Sequence, residues 1–295
     1  MRVNPNPYPD LLADIAQTQQ QINTDDQEIA TGQSVNLPSD DPSAAAILVQ
    51  NADETSQADQ FERSLGGVQG EIQNADSALN SVITSLQQAV TLGTEGANGT
   101  VNSADRQAIA TQVQGIQSQL LSLANLSYQG NYVFGGTATQ TAPYVLDASS
   151  PSGVTYQGNS GVNSVTLGNQ FSLQTNLPGP QLFSASGTDM FQSIQDLITS
   201  LQTGNGIGTA VTEVGDSLNS IDTVRVFFGN ALNQLNAQQT YLSSETQQLA
   251  VEENTVGAAN LPNVISNLTT SQVSLEATLQ SIGQTSQIDL FDYLR

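Results

Sequence analysis

The chain has 295 residues, and five arginines set against 27 carboxylates leave a formal charge of -22. With no cysteine, histidine or lysine, it has no route to disulfides, thiolate or imidazole catalysis, cysteine zinc sites, Schiff bases or a phosphate-loop lysine, so no cofactor and no metal is expected. So acidic a surface repels phosphate, which excludes nucleic acid and an anionic membrane as expected partners.

The N-terminus lacks the basic-then-apolar order of a signal peptide, and no run approaches the ~18 apolar residues of a membrane span. Asn4-Pro5-Asn6-Pro7-Tyr8-Pro9 reads as a proline-blocked leader. Residues 10 to 32 then place Leu11, Ile15, Ile22 and Ile29 along one edge of a helix. That stripe is too thin to hold a helix alone. In the turn that follows, Pro38 is expected to stop this helix, Asp40 or Asp41 to cap the next, and Pro42 to sit in its first turn.

From Phe61 the apolar positions run Leu65, Val68, Ile72, Ala75, Leu79, Val82, Leu86 and Ala89. Alternating steps of four and three make this the seam of a helix packed along another. One helix over residues 44 to 92 would be about 73 Å long at ~1.5 Å per residue. A second helix opens with Ser103 as the expected N-cap and carries Ile109, Val113, Ile116, Leu120 and Leu123.

Between about Asn131 and Phe183 the text changes to short β-type runs separated by glycine, proline, serine and asparagine. This predicts a small β insert that leans on the helices, with Tyr132, Phe134, Tyr144, Tyr156 and Phe171 as its core. A short third helix holds Phe191, Ile194, Ile198 and Leu201, and Gly204 to Gly208 reads as a helix connection. The fourth, from about Thr209 to Glu253, carries Val214, Leu218, Ile221, Phe228, Leu232, Leu235, Leu242 and Leu249 in one register, interrupted by Arg225, Gln239 and Thr246. Pro262 should break the path to a last helix, where Leu261, Ile265, Leu268, Leu275, Leu279 and Ile282 keep the rhythm, with Gln272 as the polar entry. Leu290, Phe291, Tyr293 and Leu294 crowd apolar groups into the chain end.

The expected fold is mainly α: an elongated antiparallel helical rod with coiled-coil terminal helices and a small inserted β domain. Its expected divisions are 1–42 with 255–295 as the terminal coiled coil, 43–130 with 188–254 as the helical rod, and 131–187 as the insert. Two marginal terminal helices can pair with each other and with copies from other subunits. The expected assembly interface is therefore Ile15, Ile22, Ile29, Leu261, Ile265, Leu268, Leu275, Leu279, Ile282, Leu290, Phe291, Tyr293 and Leu294. Asp25-Asp26, Asp40-Asp41 and Glu252-Glu253 carry no calcium-loop spacing and read as caps or solvated faces.

The run from Thr31 to Ala46, with Ser39-Asp40-Asp41-Pro42 at its centre, resembles the N-terminal turn of the flagellin superfamily. Within it the chain is most similar to the hook–filament junction family, also called hook-associated protein 3. That likeness rests on Met1-Arg2-Val3, on Ala124 to Thr137, on Val154 to Asn159, and on Asp289-Leu290-Phe291-Asp292-Tyr293-Leu294. The resemblance implies a non-enzymatic axial subunit, secreted by the flagellar type III route and located in the extracellular flagellum. Its implied partners are copies of itself in a ring, a neighbouring hook-associated protein, flagellin and an export chaperone. Gln33-Ser34 and Asn260 to Asn263 depart from the family's usual charged residues. Two alternatives stand beside this reading: flagellin itself, the bulk filament subunit, and, more remotely, a carboxylate-dependent glycoside hydrolase, whose chemistry needs no histidine.

Overall fold

The computed structural model describes residues 8–166, 172–187 and 189–293, with side chains described for all of these except 8, 186 and 284–293. The described residues form helices α1 (Tyr8–Thr31), α2 (Pro42–Gly96), α3 (Ser103–Ala124), α4 (Gly179–Phe183), α5 (Met190–Thr203), α6 (Ile207–Gly257) and α7 (Leu261–Tyr293). Strands β1 (Ser127–Tyr128), β2 (Asn131–Tyr132), β3 (Tyr144–Leu146), β4 (Val154–Tyr156), β5 (Ser164–Thr166) and β6 (Ser172–Gln174) all fall between α3 and α4. The fold class is mainly α with a small β insert, as the helical seams predict. The chain forms two compact units, one of Met1–Gln57 with Ser244–Arg295 and one of Ala58–Ser243.

The larger unit is held by the seams. In α2 every seam position from Leu65 to Ala89 is buried, and in α3 Ile109, Val113, Ile116 and Leu120 are. In α6 the deepest positions are Val214, Ile221, Phe228, Leu235 and Leu242, one every seven residues, while Leu218 and Leu232 are half-buried. Each such aliphatic side chain contributes about 1.5–3 kcal/mol by leaving water. Arg225 breaks the apolar register by reaching across to α2. Its Nε and Nη2 donate to the two carboxylate oxygens of Asp76 at 2.7 and 3.0 Å, and Nη1 donates to Asn80 Oδ1 at 3.1 Å. At the far end of α2, a methyl group on Gly93 would lie 2.6 Å from Val211, so glycine there sets how closely α2 meets α6.

The start of α3 corrects the expected cap. Asn102, not Ser103, is the N-cap, with its Oδ1 accepting from Asp105 N at 2.9 Å. The turn Asn98 to Val101, closed by Val101 N donating to Asn98 O, delivers Asn102 in the extended conformation a cap needs, and Ser103 becomes the first helical residue.

The insert consists of three two-stranded antiparallel hairpins, β1 with β2, β3 with β4 and β5 with β6. Strands this short leave backbone groups unpaired, and asparagine side chains take them. Asn125 Nδ2 donates to Tyr144 O at 2.7 Å while its Oδ1 accepts from Tyr144 N at 2.9 Å. Asn159 Oδ1 accepts from Thr137 N and Gly161 N, and Asn163 N donates to Asn176 Oδ1.

Nor does the insert keep its core to itself. Phe134, Tyr144 and Phe183 pack on one another and on Phe191 of α5, with ring centroids 5.1 to 6.4 Å apart. Burial pushes the Tyr144 hydroxyl far above the usual phenol range, with Tyr156 and Asp189 adding to the shift. Phe171, expected in this core, lies outside the described residues.

In the smaller unit, α1 stops earlier than expected. Gly32, in the left-handed conformation (φ 72°), ends it, and Pro38 falls within the turn beyond. Asp41 caps α2 by accepting from Ser43 N and Ala44 N at 2.9 and 3.0 Å, whereas Asp40 Oδ2 braces the turn through Asn36 N and Leu37 N. Pro42 is the first helical residue of α2. Helix α6 ends at Gly257, where Leu48 lies within 3.2 Å of where a Cβ would stand. The break that Pro262 predicts is present, and Asn260 caps α7.

Candidate assembly surface

Helices α1 and α7 pack along each other in the smaller unit. They are antiparallel, because the end of α1 is tied to the start of α7: Gln33 bridges Ala258, Ala259 N donates to Gly32 O at 2.9 Å, and Ser34 N donates to Gly257 O at 2.8 Å.

Along one edge α1 withdraws Leu11, Ile15, Thr18, Ile22, Asp25 and Ile29 from water, with Glu28 half-buried beside it. This is an unbroken alternation of four and three, with two polar entries. Asp25 is only 2% exposed; its Oδ1 accepts from Gln21 Nε2 at 3.0 Å and its Oδ2 has no hydrogen-bond donor among the described residues. Nearby Glu28 has its pKa raised by burial first, then by the charges of Asp25 and Asp40. A polar residue on such a seam lowers the stability of the pair while restricting its register.

On α7 the withdrawn positions are Val264, Leu268, Ser271, Leu275, Thr278 and Ile282, again in steps of four and three. The expected interface therefore divides. Ile15, Ile22 and Ile29 of α1, with Leu268, Leu275 and Ile282 of α7, lie half-buried along the pair within the chain. Leu261, Ile265 and Leu279 stay open, Ile265 and Leu279 each at 52% exposure. The side chains of Leu290, Phe291 and Tyr293, and all of Leu294, lie outside the described residues, as does the Met1-Arg2-Val3 start.

Two seams thus share one row on α7. Leu268, Leu275 and Ile282 serve both; Val264, Ser271 and Thr278 flank them on the side of α1; Ile265, Gln272 and Leu279 flank them on the open side. Between Leu261 and Gly283 the single charged residue is Glu276, whereas α1 carries Asp10, Asp14, Asp25, Asp26 and Glu28. A mostly apolar row in a stretch with one charge, on so acidic a chain, offers a neighbour little repulsion. Sequence reasoning displayed the open row more clearly than the inner one, because serine and threonine occupy two of the inner row's three flanking positions.

The paired carboxylates among the described residues stand apart from this surface. Asp25 lies in the seam and Asp26 outside it, Asp40 and Asp41 are taken by backbone amides, and Glu252 and Glu253 are exposed on α6. Among the described residues no group of three potential ligands is placed to hold a metal, and no helix is long and apolar enough to cross a membrane.

Comparison with known proteins agrees with this architecture. Residues 6–139 match the family described as the bacterial flagellin N-terminal helical region. Flagellar hook-associated protein 3 of Escherichia coli (strain K12) is 28% identical over 228 residues, which is 68% of this chain and 69% of that protein. The protein of the same name from Salmonella typhimurium is 34% identical over 119 residues, 40% of this chain and 38% of that one. Among solved structures, the flagellar junction protein FlgL from Legionella pneumophila superposes with a TM-score of 0.63, covering 72% of this chain and 100% of that chain at 14% identity. At that identity the likeness is one of fold.

Proposed function

We propose that this chain, whose residues 6–139 match the bacterial flagellin N-terminal helical region, is a structural axial subunit of the bacterial flagellum that joins the hook to the filament. The observation that carries the reading is its similarity to hook-associated protein 3 over two thirds of each chain. The same similarity favours the junction over the bulk filament, since both curated relatives carry the junction protein's name.

In this reading the chain is exported by the flagellar type III route with the help of a chaperone, and it assembles outside the cell as a ring of identical copies between a second hook-associated protein and flagellin. Residues 1–42 and 255–295 form the assembly domain, 43–130 and 188–254 the helical domain, and 131–187 the insert that faces outward. The chemistry asked of it is adhesion and not catalysis. Within each copy α1 and α7 close on their shared row, which leaves Ile265, Gln272 and Leu279 for the neighbouring copy. Gln272 at the centre of that row favours one register over its slips, as a single polar seam residue does.

Labelling isolated flagella with a gold-conjugated antibody against the chain tests the reading. A single band beside the hook is expected. Label along the whole filament would make the chain a flagellin, and no label on flagella would end the axial reading altogether.

A further inference from the structure

The chain contains two Asn-Gly steps, Asn98-Gly99 in the link from α2 to α3 and Asn205-Gly206 in the link from α5 to α6. Their surroundings differ in the hydrogen bonds that reach the side-chain amide. Asn98 Oδ1 accepts two hydrogen bonds from Thr100, one from its backbone N at 3.1 Å and one from its Oγ1 at 3.0 Å. No such pair of donors reaches the side-chain amide of Asn205 among the described residues.

We propose that Asn98 is a self-modifying site, at which the side-chain amide is converted to aspartyl and isoaspartyl products with water as the only co-reactant. The bond from Thr100 N holds the Asn98 side chain back along the following peptide, on the side from which Cγ meets the Gly99 nitrogen in ring closure. Gly99 is exposed, with no atom within 4 Å of where a Cβ would sit, so no neighbouring segment crowds the residue. Solvent hydroxide removes the Gly99 N–H proton, and the nitrogen then attacks Asn98 Cγ. Negative charge develops on Oδ1, where the Thr100 N–H and O–H already point. Donors placed in advance on a developing oxyanion lower the barrier, and the turn supplies the near-attack geometry. The C–N bond to Nδ2 breaks and ammonia leaves with a proton from water, which closes a five-membered succinimide. Water then opens either carbonyl of the ring: one route gives an aspartyl residue at position 98, the other an isoaspartyl link that adds a methylene to the main chain. The turn closed by Val101 N and Asn98 O tolerates the first product and is disrupted by the second.

The test ages the folded chain in mildly alkaline buffer and follows both sites in one sample. Trypsin cutting at Arg63, Arg106 and Arg225 puts Asn98 and Asn205 in separate peptides, and mass spectrometry reads the amide-to-acid conversion of each. Asn98 is expected to convert several-fold faster than Asn205. Thr100→Val, which keeps the backbone donor and removes the hydroxyl, is expected to slow position 98 about fivefold, the rate equivalent of one modest hydrogen bond, and to leave position 205 unchanged. Thr100 is exposed in the link, and circular dichroism confirms that the variant is folded. The proposal is overturned if Asn98 does not convert, if Asn205 converts as fast, or if Thr100→Val leaves the rate at 98 unchanged or raises it.

Discussion

Replacing Phe183 with alanine tests whether the β insert and the helices beside it unfold as one body. The ring is 1% exposed and meets Phe134, Tyr144 and Phe191 at centroid distances of 5.5, 5.7 and 6.4 Å. Truncation removes the six ring carbons from a site walled by other rings, which relax poorly into the space. A loss of about 3–5 kcal/mol is expected, a large fraction of a domain's usual stability of about 5–15 kcal/mol. Urea unfolding read by far-ultraviolet circular dichroism reports the helices. Tyrosine emission reports the insert, because the chain has no tryptophan and Tyr128, Tyr132, Tyr144 and Tyr156 are four of its seven tyrosines. With a common core both transitions move together to lower urea. Leu146→Ala, on a side chain 76% exposed at the surface of the insert, should shift either probe by no more than about 0.5 kcal/mol. If Phe183→Ala moves the tyrosine transition and leaves the helical one in place, the insert is an independent domain and the shared-core argument fails.

Three further outcomes follow from the geometry. The double variant Ile265→Gln, Leu279→Gln should leave the helicity and thermal midpoint of the isolated chain nearly unchanged and abolish filament growth in a motility complementation assay; unimpaired motility would move the interface elsewhere. Gln129 holds φ 51° in a two-residue hairpin turn that favours asparagine or glycine, so Gln129→Asn should stabilise the larger unit by about 0.5–1 kcal/mol in urea melts, and a loss would mean the exposed side chain has a role in the turn. Asp147 accepts from the hydroxyls of Ser149 and Thr155 and from Ser149 N, which lowers its pKa to about 2. The support it gives the β3–β4 hairpin is thus complete above the ordinary carboxylate value of 3.8 and is lost as pH falls toward 2. Carboxyl NMR titration reads this directly, and a midpoint at or above 3.8 would contradict it.

How much of this was legible before the structure depends on what each position buries. The seams of α2, α3 and α6 could be read because leucine, isoleucine and valine fill them at helical spacing, and in these helices the pattern and the packing are the same fact. The pairing of α1 with α7 was half hidden. Thr18, Asp25, Ser271 and Thr278 occupy seam positions, and polar residues there leave no apolar trace, so the sequence displayed the open row of α7 more clearly than the closed one. Caps were read to within a residue, Asn102 displacing Ser103, since neighbouring residues of similar capping power are told apart only by the turn that precedes them. That the insert leans on the helices was expected, but its attachment to α5 in particular was not. It depends on Phe183 and Phe191 meeting Phe134 and Tyr144 from far along the chain, and nothing in a linear pattern records which aromatic rings converge.

Arg106 and Arg225 turn inward, the first with its Nη1 donating to Val101 O and the second clasping Asp76. Two of only five cations are thereby engaged within their own chain, set against 27 acidic side chains in the whole sequence. Any array of such chains is a polyelectrolyte, and sodium or magnesium from the medium must condense around it to hold like-charged neighbours together. In the assembly proposed above the ions are then components of the material, and its stiffness and ease of growth depend on the salt of the medium as much as on the polypeptide.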